Sequence, residues 1–150
     1  GGEYYLWLPG GNTLNRGTGF YEPKAYGTLT IPATARRIIA VGAYDSLVDS
    51  YADFSGRGSR MLPYLKPDLV APGSRVLACA PGSDYAYGIK SGTSMSTPLI
   101  SGAAALMLEK NPALTNVQIK IKLKESARDM GLPKNQQGWG KFDLERFMEL

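Results

Sequence analysis

The 150-residue sequence predicts an α/β fold, and two kinds of segment support this. Short apolar runs bounded by proline or glycine, at residues 28–31 and 37–43, are typical of buried strands in a parallel sheet. The small-residue segment that follows Pro98 predicts a buried central helix, because glycine and alanine allow close backbone approach. The apolar content of 43% is ordinary for a globular core.

The start of that helix carries the clearest chemical signal. Gly92 permits a tight bend, Ser94 follows two residues later, and Pro98 suits the first turn of a helix. Free N–H groups and the positive dipole end at a helix start favour an anion that forms beside a Ser94 hydroxyl. The residues alone leave a second interpretation open, in which Ser94, Ser96 and Thr97 compete to cap the helix.

Other elements follow along the chain from local patterns. A further short strand is expected near residues 52–54. Residues 69–71 and 75–80 bracket a turn at residues 71–73, and Tyr85 and Tyr87 alternate as on a hairpin strand. Thr115 and Gln118 have the spacing of a capping box and favour a helix, although the alternating residues after them taken alone would predict a strand. Further on we expect a loop at residues 131–138, and a last helix, Leu144–Leu150, capped by Asp143.

Four ordered segments resemble the subtilisin-like serine proteases. The segment Gly92–Pro98, GTSMSTP, is similar to the nucleophile motif of that family. Three segments upstream resemble its VIAVGA strand, its ASFSSxG turn and its KPDxxAPG segment, at residues 37–43, 51–58 and 66–73. The resemblance covers residues 27–145. It implies a doubly wound, mostly parallel sheet with flanking helices, of which this chain would be the C-terminal portion.

The resemblance also implies roles for individual residues. Ser94 would be the nucleophile, and its backbone N–H would donate one hydrogen bond to the oxyanion. Gly92 and Thr93 would help to form the substrate-side wall, and Met95 would lie beside the serine, where its oxidation would lower activity. The implied substrate is a peptide or protein, and no cofactor or metal is implied.

The chain departs from the family because it contains no histidine. Without a base to accept its proton, a serine hydroxyl is a weak nucleophile near neutral pH. No Ser-x-x-Lys sequence offers a lysine instead, and neither Asn12 nor Asn15 stands in the family's AxGN setting. We therefore expect the Asp, His and Asn partners on an N-terminal portion, and no protease activity from this chain alone. The alternative is a fragment of a pseudoprotease or scaffold, which binds a partner without cleavage. The retained Ser94 favours the protease.

The first sixteen residues have a different character. The aromatic-rich segment Glu3–Pro9 predicts a strand that ends at a proline. This segment, with GTGF at 17–20 and YGTLTIP at 26–32, resembles the clostridial Csp-like germination proteases, in which a jelly-roll-like insert interrupts the catalytic domain. By this resemblance residues 1–16 are the end of such an insert or a linker, and residues 17–150 belong to the catalytic domain.

From spacing alone, an ordinary solvent-facing hairpin remains an equally good interpretation of this segment. If the insert interpretation holds, Tyr4, Tyr5 and Trp7 form an exposed apolar edge. The isolated chain would then expose part of a core and self-associate.

Composition and charge argue against several other classes of protein. The net charge of +4 is mild, and the basic cluster Lys120, Lys122 and Lys124 has no interleaved aromatic residues, which argues against nucleic-acid binding. No run of 18 apolar residues predicts a membrane span, and the N-terminus lacks a signal-peptide pattern. These patterns do not identify a compartment.

Two further groups of residues have structural interpretations. The carboxylates of Asp45, Asp49 and Asp53 are spaced by four residues, but the glycine and glutamate of a calcium loop are missing. We expect solvated carboxylates and no metal site. The lone Cys79 lies in an apolar run and is expected to be a small core residue.

Overall fold

The computed structural model describes residues 4, 6–9, 13–59 and 63–150. In the described part of the chain the strands come first and the helices follow, in a mixed α/β arrangement. The strands are β1 Val41–Asp45, β2 Ser50–Tyr51, β3 Leu69–Pro72, β4 Val76–Cys79 and β5 Tyr87–Lys90. The helices are α1 Thr93–Lys110, α2 Asn116–Ser126, α3 Lys134–Gln137 and α4 Leu144–Glu149. Among the described residues, no helix has the length and apolar character that a bilayer crossing requires.

β1 lies at the centre of a three-stranded sheet with the order β2-β1-β3. β1 and β3 are parallel, with Val41 opposite Leu69, whereas β2 is antiparallel and pairs only with the carboxyl end of β1. β4 and β5 form a separate antiparallel hairpin, in which Leu77 faces Ile89. Because β1 and β3 are parallel, the carboxyl ends of both strands lie near the start of α1.

The core lies between this sheet and the helices. α1 packs on β1 and β3, and α2 packs against α4. The buried cluster consists of Leu69, Ala71, Ile100, Ala103, Met107, Ile119, Leu123 and Phe147. The prediction of a buried central helix is right for one face of α1 only, since Leu99 and Leu106 are 41% and 49% exposed.

Local capping signals predicted the helix ends well. The Thr115 hydroxyl accepts a hydrogen bond from the Gln118 N–H at 3.3 Å, and the Gln118 side chain accepts one from the Thr115 N–H at 2.8 Å. Asp143 caps α4, because its carboxylate accepts from the Arg146 N–H at 3.0 Å. This bond, helped by the nearby positive charge of Arg128, lowers the pKa of Asp143.

Strand boundaries were predicted less well. No strand forms at residues 28–31, and β1 begins only at Val41, four residues after its predicted start. The reason at β1 is that two lysine ammonium groups, from Lys66 and Lys120, take the Ile38 carbonyl at 2.7 and 2.9 Å. The Ile38 carbonyl is thus occupied by side-chain donors where a longer strand would need a strand N–H. The short strand expected at 52–54 lies earlier, in β2, and residues 53 and 54 form a turn.

Several other expectations were wrong. The lone Cys79 is exposed on β4 and does not belong to the core. The loop predicted at 131–138 contains the short helix α3. Asp45 was expected to be solvated but is partly buried and pairs with Arg75, whereas Asp49 is 59% exposed and pairs with Lys141.

The predicted N-terminal strand is only partly covered by the structure. Residues 4 and 6–9 do not form a strand, whereas Glu3, Tyr5 and Asn12 lie outside the described residues. Tyr4 and Trp7 are exposed, as expected.

Candidate active site

Ser94 lies in the first turn of α1, with its side chain exposed. The helix begins at Thr93, and no side chain caps its N-terminal N–H groups. The interpretation in which Ser94, Ser96 and Thr97 compete for the cap is therefore wrong, because the N-cap is Gly92. The hydroxyl at the helix start remains available, and so do uncapped N–H groups beside it.

The backbone of Gly92 explains why a glycine precedes the serine. Its φ of 152° lies in a region that residues with a side chain rarely adopt. Its N–H donates to the Gly73 carbonyl at 2.8 Å, and its carbonyl accepts from the Met95 N–H at 3.0 Å. Gly92 thus joins the helix start to the end of β3.

Gly73 was not identified from the sequence as a site residue, but it fixes the position of the candidate nucleophile. Its N–H donates to the Tyr44 carbonyl at 2.9 Å, so it also holds the end of β1. A Cβ atom at Gly73 would overlap the hydroxyl of Ser96 and the methyl group of Ala43. The APG turn could have signalled this role, but the contacts that require glycine come from residues distant in sequence.

Ser96 anchors the same turn from inside. Its side chain is fully buried, and its hydroxyl donates to the Ala71 carbonyl at 3.1 Å. The hydroxyl of Thr97 donates to the Thr93 carbonyl at 3.0 Å. Pro98 was predicted in the first turn of the helix but lies in the second. Because proline has no N–H, it cannot donate a helical hydrogen bond to the Ser94 carbonyl.

Chemical activation of Ser94 is absent from the described part of the chain. No histidine is present in the sequence, and within residues 13–59 and 63–150 the Ser94 hydroxyl has no hydrogen-bond partner. Thr93 and Met95, the expected wall residues, are half-buried on either side of it. The site holds an oriented hydroxyl and backbone donors without a base.

A cluster of charged side chains lies at the amino ends of β1 and β3, away from Ser94. The buried carboxylate of Asp68 accepts from Lys66 at 2.6 Å, from Lys120 at 2.8 Å and from the Ala40 N–H at 2.8 Å. Burial lowers the pKa of Lys66, and its hydrogen bond to Asp68 opposes that change. Lys120 of α2 is therefore not a simply solvated lysine, because it pairs with a buried carboxylate. This cluster fixes α2 and the start of β1, and it is remote from Ser94.

The profile of the Subtilase family matches residues 10–140. The chain belongs to the subtilase family. Subtilisin Savinase of Lederbergia lenta is 43% identical over 105 residues, which are 70% of this chain and 36% of that protein. Subtilisin E of Bacillus subtilis is 40% identical over 104 residues, which are 69% of this chain and 25% of that protein. This subtilase chain thus spans about a third or less of the length of these relatives.

Solved structures show the same relationship in three dimensions. The CspB protease of Clostridium perfringens matches with a TM-score of 0.83 and 40% identity, over 91% of this chain and 31% of that one. The prenylagaramide maturation protease PagA matches with a TM-score of 0.69 and 29% identity, over 83% of this chain and 46% of that one. The subtilisin-like arrangement therefore extends over most of this subtilase chain.

The close approach at Gly73 gives a testable prediction for the whole protein that contains these residues. We expect Gly73→Ala to displace the first turn of α1, because its methyl group would overlap two neighbouring side chains. The free energy of unfolding should fall by about 1–3 kcal/mol. Under the peptidase function that we propose for the whole protein, kcat should fall by about a hundredfold, since small errors in nucleophile position are costly.

Gly102→Ala is the matched control for this change. Gly102 lies on the same helix, and a Cβ atom there would meet open space. Its kcat should stay within about twofold of wild type, while alanine should raise helix stability slightly. An unchanged kcat in Gly73→Ala, measured per folded molecule, would contradict this account of how Ser94 is positioned.

Proposed function

We propose that this chain supplies the nucleophile of a subtilisin-like serine endopeptidase. The observation that carries the proposal is the exposed Ser94 hydroxyl at the start of α1, where no side chain caps the helix. Membership of the subtilase family supports the same reaction class. The Asp, His and Asn partners lie on residues outside this sequence, in an N-terminal portion of the same or another chain.

The proposed reaction is acyl transfer through a covalent intermediate. The oxygen of Ser94 attacks the scissile carbonyl of a peptide or protein, and the missing histidine takes the hydroxyl proton. The negative charge that develops on the carbonyl oxygen is stabilised by the backbone N–H of Ser94 and by the positive end of the α1 dipole. The histidine then gives this proton to the amine as the C–N bond breaks, and water hydrolyses the acyl ester to a carboxylic acid and restores the Ser94 hydroxyl.

Residues next to the nucleophile contribute to substrate binding in this proposal. Gly92 and Thr93 form part of the wall that faces the substrate, and the thioether of Met95 lies beside the serine. Oxidation of Met95 to the sulfoxide would place a polar group there and lower activity.

The proposed fold of the whole domain extends the sheet seen here. On the side away from β3, no strand in the described part of the chain pairs with Val41, which leaves the amino half of β1 as an open edge. We place this chain, residues 17–150, as the C-terminal portion of a doubly wound, mostly parallel sheet, with residues 1–16 as the end of an insert or a linker. An open edge of this kind would also promote self-association of the isolated chain.

Covalent labelling tests the proposal. The whole protein should react with a fluorophosphonate probe, and peptide mapping by mass spectrometry should place the adduct on Ser94. An adduct on another residue would contradict the proposal. Failure of the whole protein to react, together with normal partner binding, would instead indicate the pseudoprotease or scaffold.

A further inference from the structure

A groove of about 640 Å³ runs between the segment that precedes β1 and the outer face of α2. We call it the basic groove. Its walls carry Arg36, Arg37 and Lys124, together with Val117, Ile121 and Trp139. None of the residues that line it is acidic. Its chemistry is therefore a set of cations around apolar surface.

Three of these cations have no carboxylate partner among the described residues. Arg36, Arg37 and Lys124 form no ion pair with any carboxylate in the described part of the chain. Lys120, at the base of the groove, differs because its ammonium group is held by Asp68 and by backbone carbonyls. The uncompensated charge thus lies on the groove walls, where side chains are exposed to a partner.

Apolar surface lies between these charges. Val117 and Ile121 occupy the same face of α2, and their side chains are 62% and 48% exposed. The Trp139 ring lies beside them, with the Lys120 ammonium group 5.9 Å from its centre. Exposed branched side chains among cations match a ligand that carries both carboxylates and apolar groups.

We propose that the basic groove is a docking site for an acidic polypeptide segment that bears apolar side chains. Carboxylates would pair with the Arg36 and Arg37 guanidinium groups, whose planar donors suit bidentate contacts. Apolar side chains of the segment would cover Val117 and Ile121. A single-stranded nucleic acid fits less well, because its bases need stacking surfaces, and the one aromatic ring that lines the groove already contacts a lysine.

The basic groove is separate from the candidate active site. Arg36 and Arg37 precede β1, and Lys120 contacts Asp68 just before β3, so the groove lies at the amino ends of the parallel strands. Ser94 follows Gly92, which contacts Gly73 beyond the carboxyl end of β3. The length of β1, roughly 16 Å at 3.3 Å per residue, lies between them. The groove can therefore hold a segment while a substrate occupies the active site.

Binding of a labelled peptide to the whole protein tests this inference. We would use an octapeptide of alternating Glu and Phe, measured by fluorescence anisotropy in a Ser94→Ala background that prevents cleavage. The protein with its wild-type groove residues should bind this peptide saturably. Its affinity should fall by at least about tenfold between 0.05 and 0.5 M salt, since salt screens exposed charges. The Arg36→Gln/Arg37→Gln double variant should weaken binding by about tenfold, and Lys124→Gln should weaken it in the same direction.

Two controls distinguish charge-dependent binding from nonspecific binding. Arg146→Gln removes an exposed arginine from α4, outside the groove, and should change affinity by less than about twofold. A peptide with Gln in place of Glu should bind at least about tenfold more weakly than the acidic peptide. Each of these results would support an acidic polypeptide as the ligand.

The inference would be overturned by absence of binding, by equal binding of the Gln peptide, or by an unaffected double variant. It would also be overturned if a single-stranded oligonucleotide of equal charge bound more tightly and displaced the peptide. None of these readouts requires catalysis. Their failure is therefore distinguishable from failure of the proposed peptidase function.

Discussion

Ser94→Ala should abolish peptide hydrolysis by the whole protein, with kcat falling by roughly a millionfold, the scale expected when a serine nucleophile is removed. The physical reason is that alanine has no oxygen to form the acyl bond, whereas the backbone donors at the start of α1 are unchanged. The measurement is the steady-state rate on a chromogenic peptide. Residual activity should come only from binding and oxyanion stabilisation.

Ser101→Ala is the matched control for this variant. Ser101 lies on the same helix and is also exposed, and its hydroxyl donates to the Thr97 carbonyl at 3.2 Å. Loss of that hydroxyl should leave kcat within about twofold of wild type, since it lies two turns from Ser94. The proposal would be contradicted if Ser94→Ala retained more than about 1% of wild-type kcat, far above the residual rate expected without a nucleophile.

Asp68→Ala should be the most damaging single change to stability, lowering the free energy of unfolding by roughly 3–5 kcal/mol. The carboxylate neutralises the buried Lys66 ammonium group, which would otherwise keep only the Ile38 carbonyl as a partner. An unpaired buried charge is far more costly than the loss of a surface ion pair. The urea midpoint at pH 7 reports the change.

Two further variants show whether the unpaired charge is the cause. Asp45→Ala breaks a pair with Arg75, whose side chain is 56% exposed, and should lower the free energy of unfolding by no more than about 1 kcal/mol. The double variant Lys66→Met/Asp68→Leu removes both buried charges and should recover part of the loss. An Asp68→Ala protein as stable as Asp45→Ala would contradict this account of the cluster.

Local signals in the sequence predicted local structure. The capping box at Thr115 and the N-cap at Asp143 were correct because a cap depends on residues three positions apart. The prediction of where β1 starts was wrong because this start depends on Lys120, whose partner carbonyl at Ile38 is 82 residues away. Periodicity in a short window contains no information about such a contact.

The same division holds for the candidate site. Ser94 could be selected as a candidate from the sequence because its motif is contiguous and leads into a helix. Gly73 was missed because its constraint comes from Ala43 and Ser96, which approach it only after the strands pair. The basic groove was missed for the same reason, since it joins Arg36 and Arg37 to α2 across some 80 residues of chain.

The central claim is that Ser94 is a nucleophile whose activating partners lie outside these 150 residues. The most direct test compares the rate of fluorophosphonate labelling at Ser94 in the whole protein and in this chain alone. We predict rapid labelling of the whole protein and, in the isolated chain, no more than the slow reaction of an unactivated serine. Equally rapid labelling of the isolated chain would contradict the claim, because it would show that these residues activate Ser94 without a histidine.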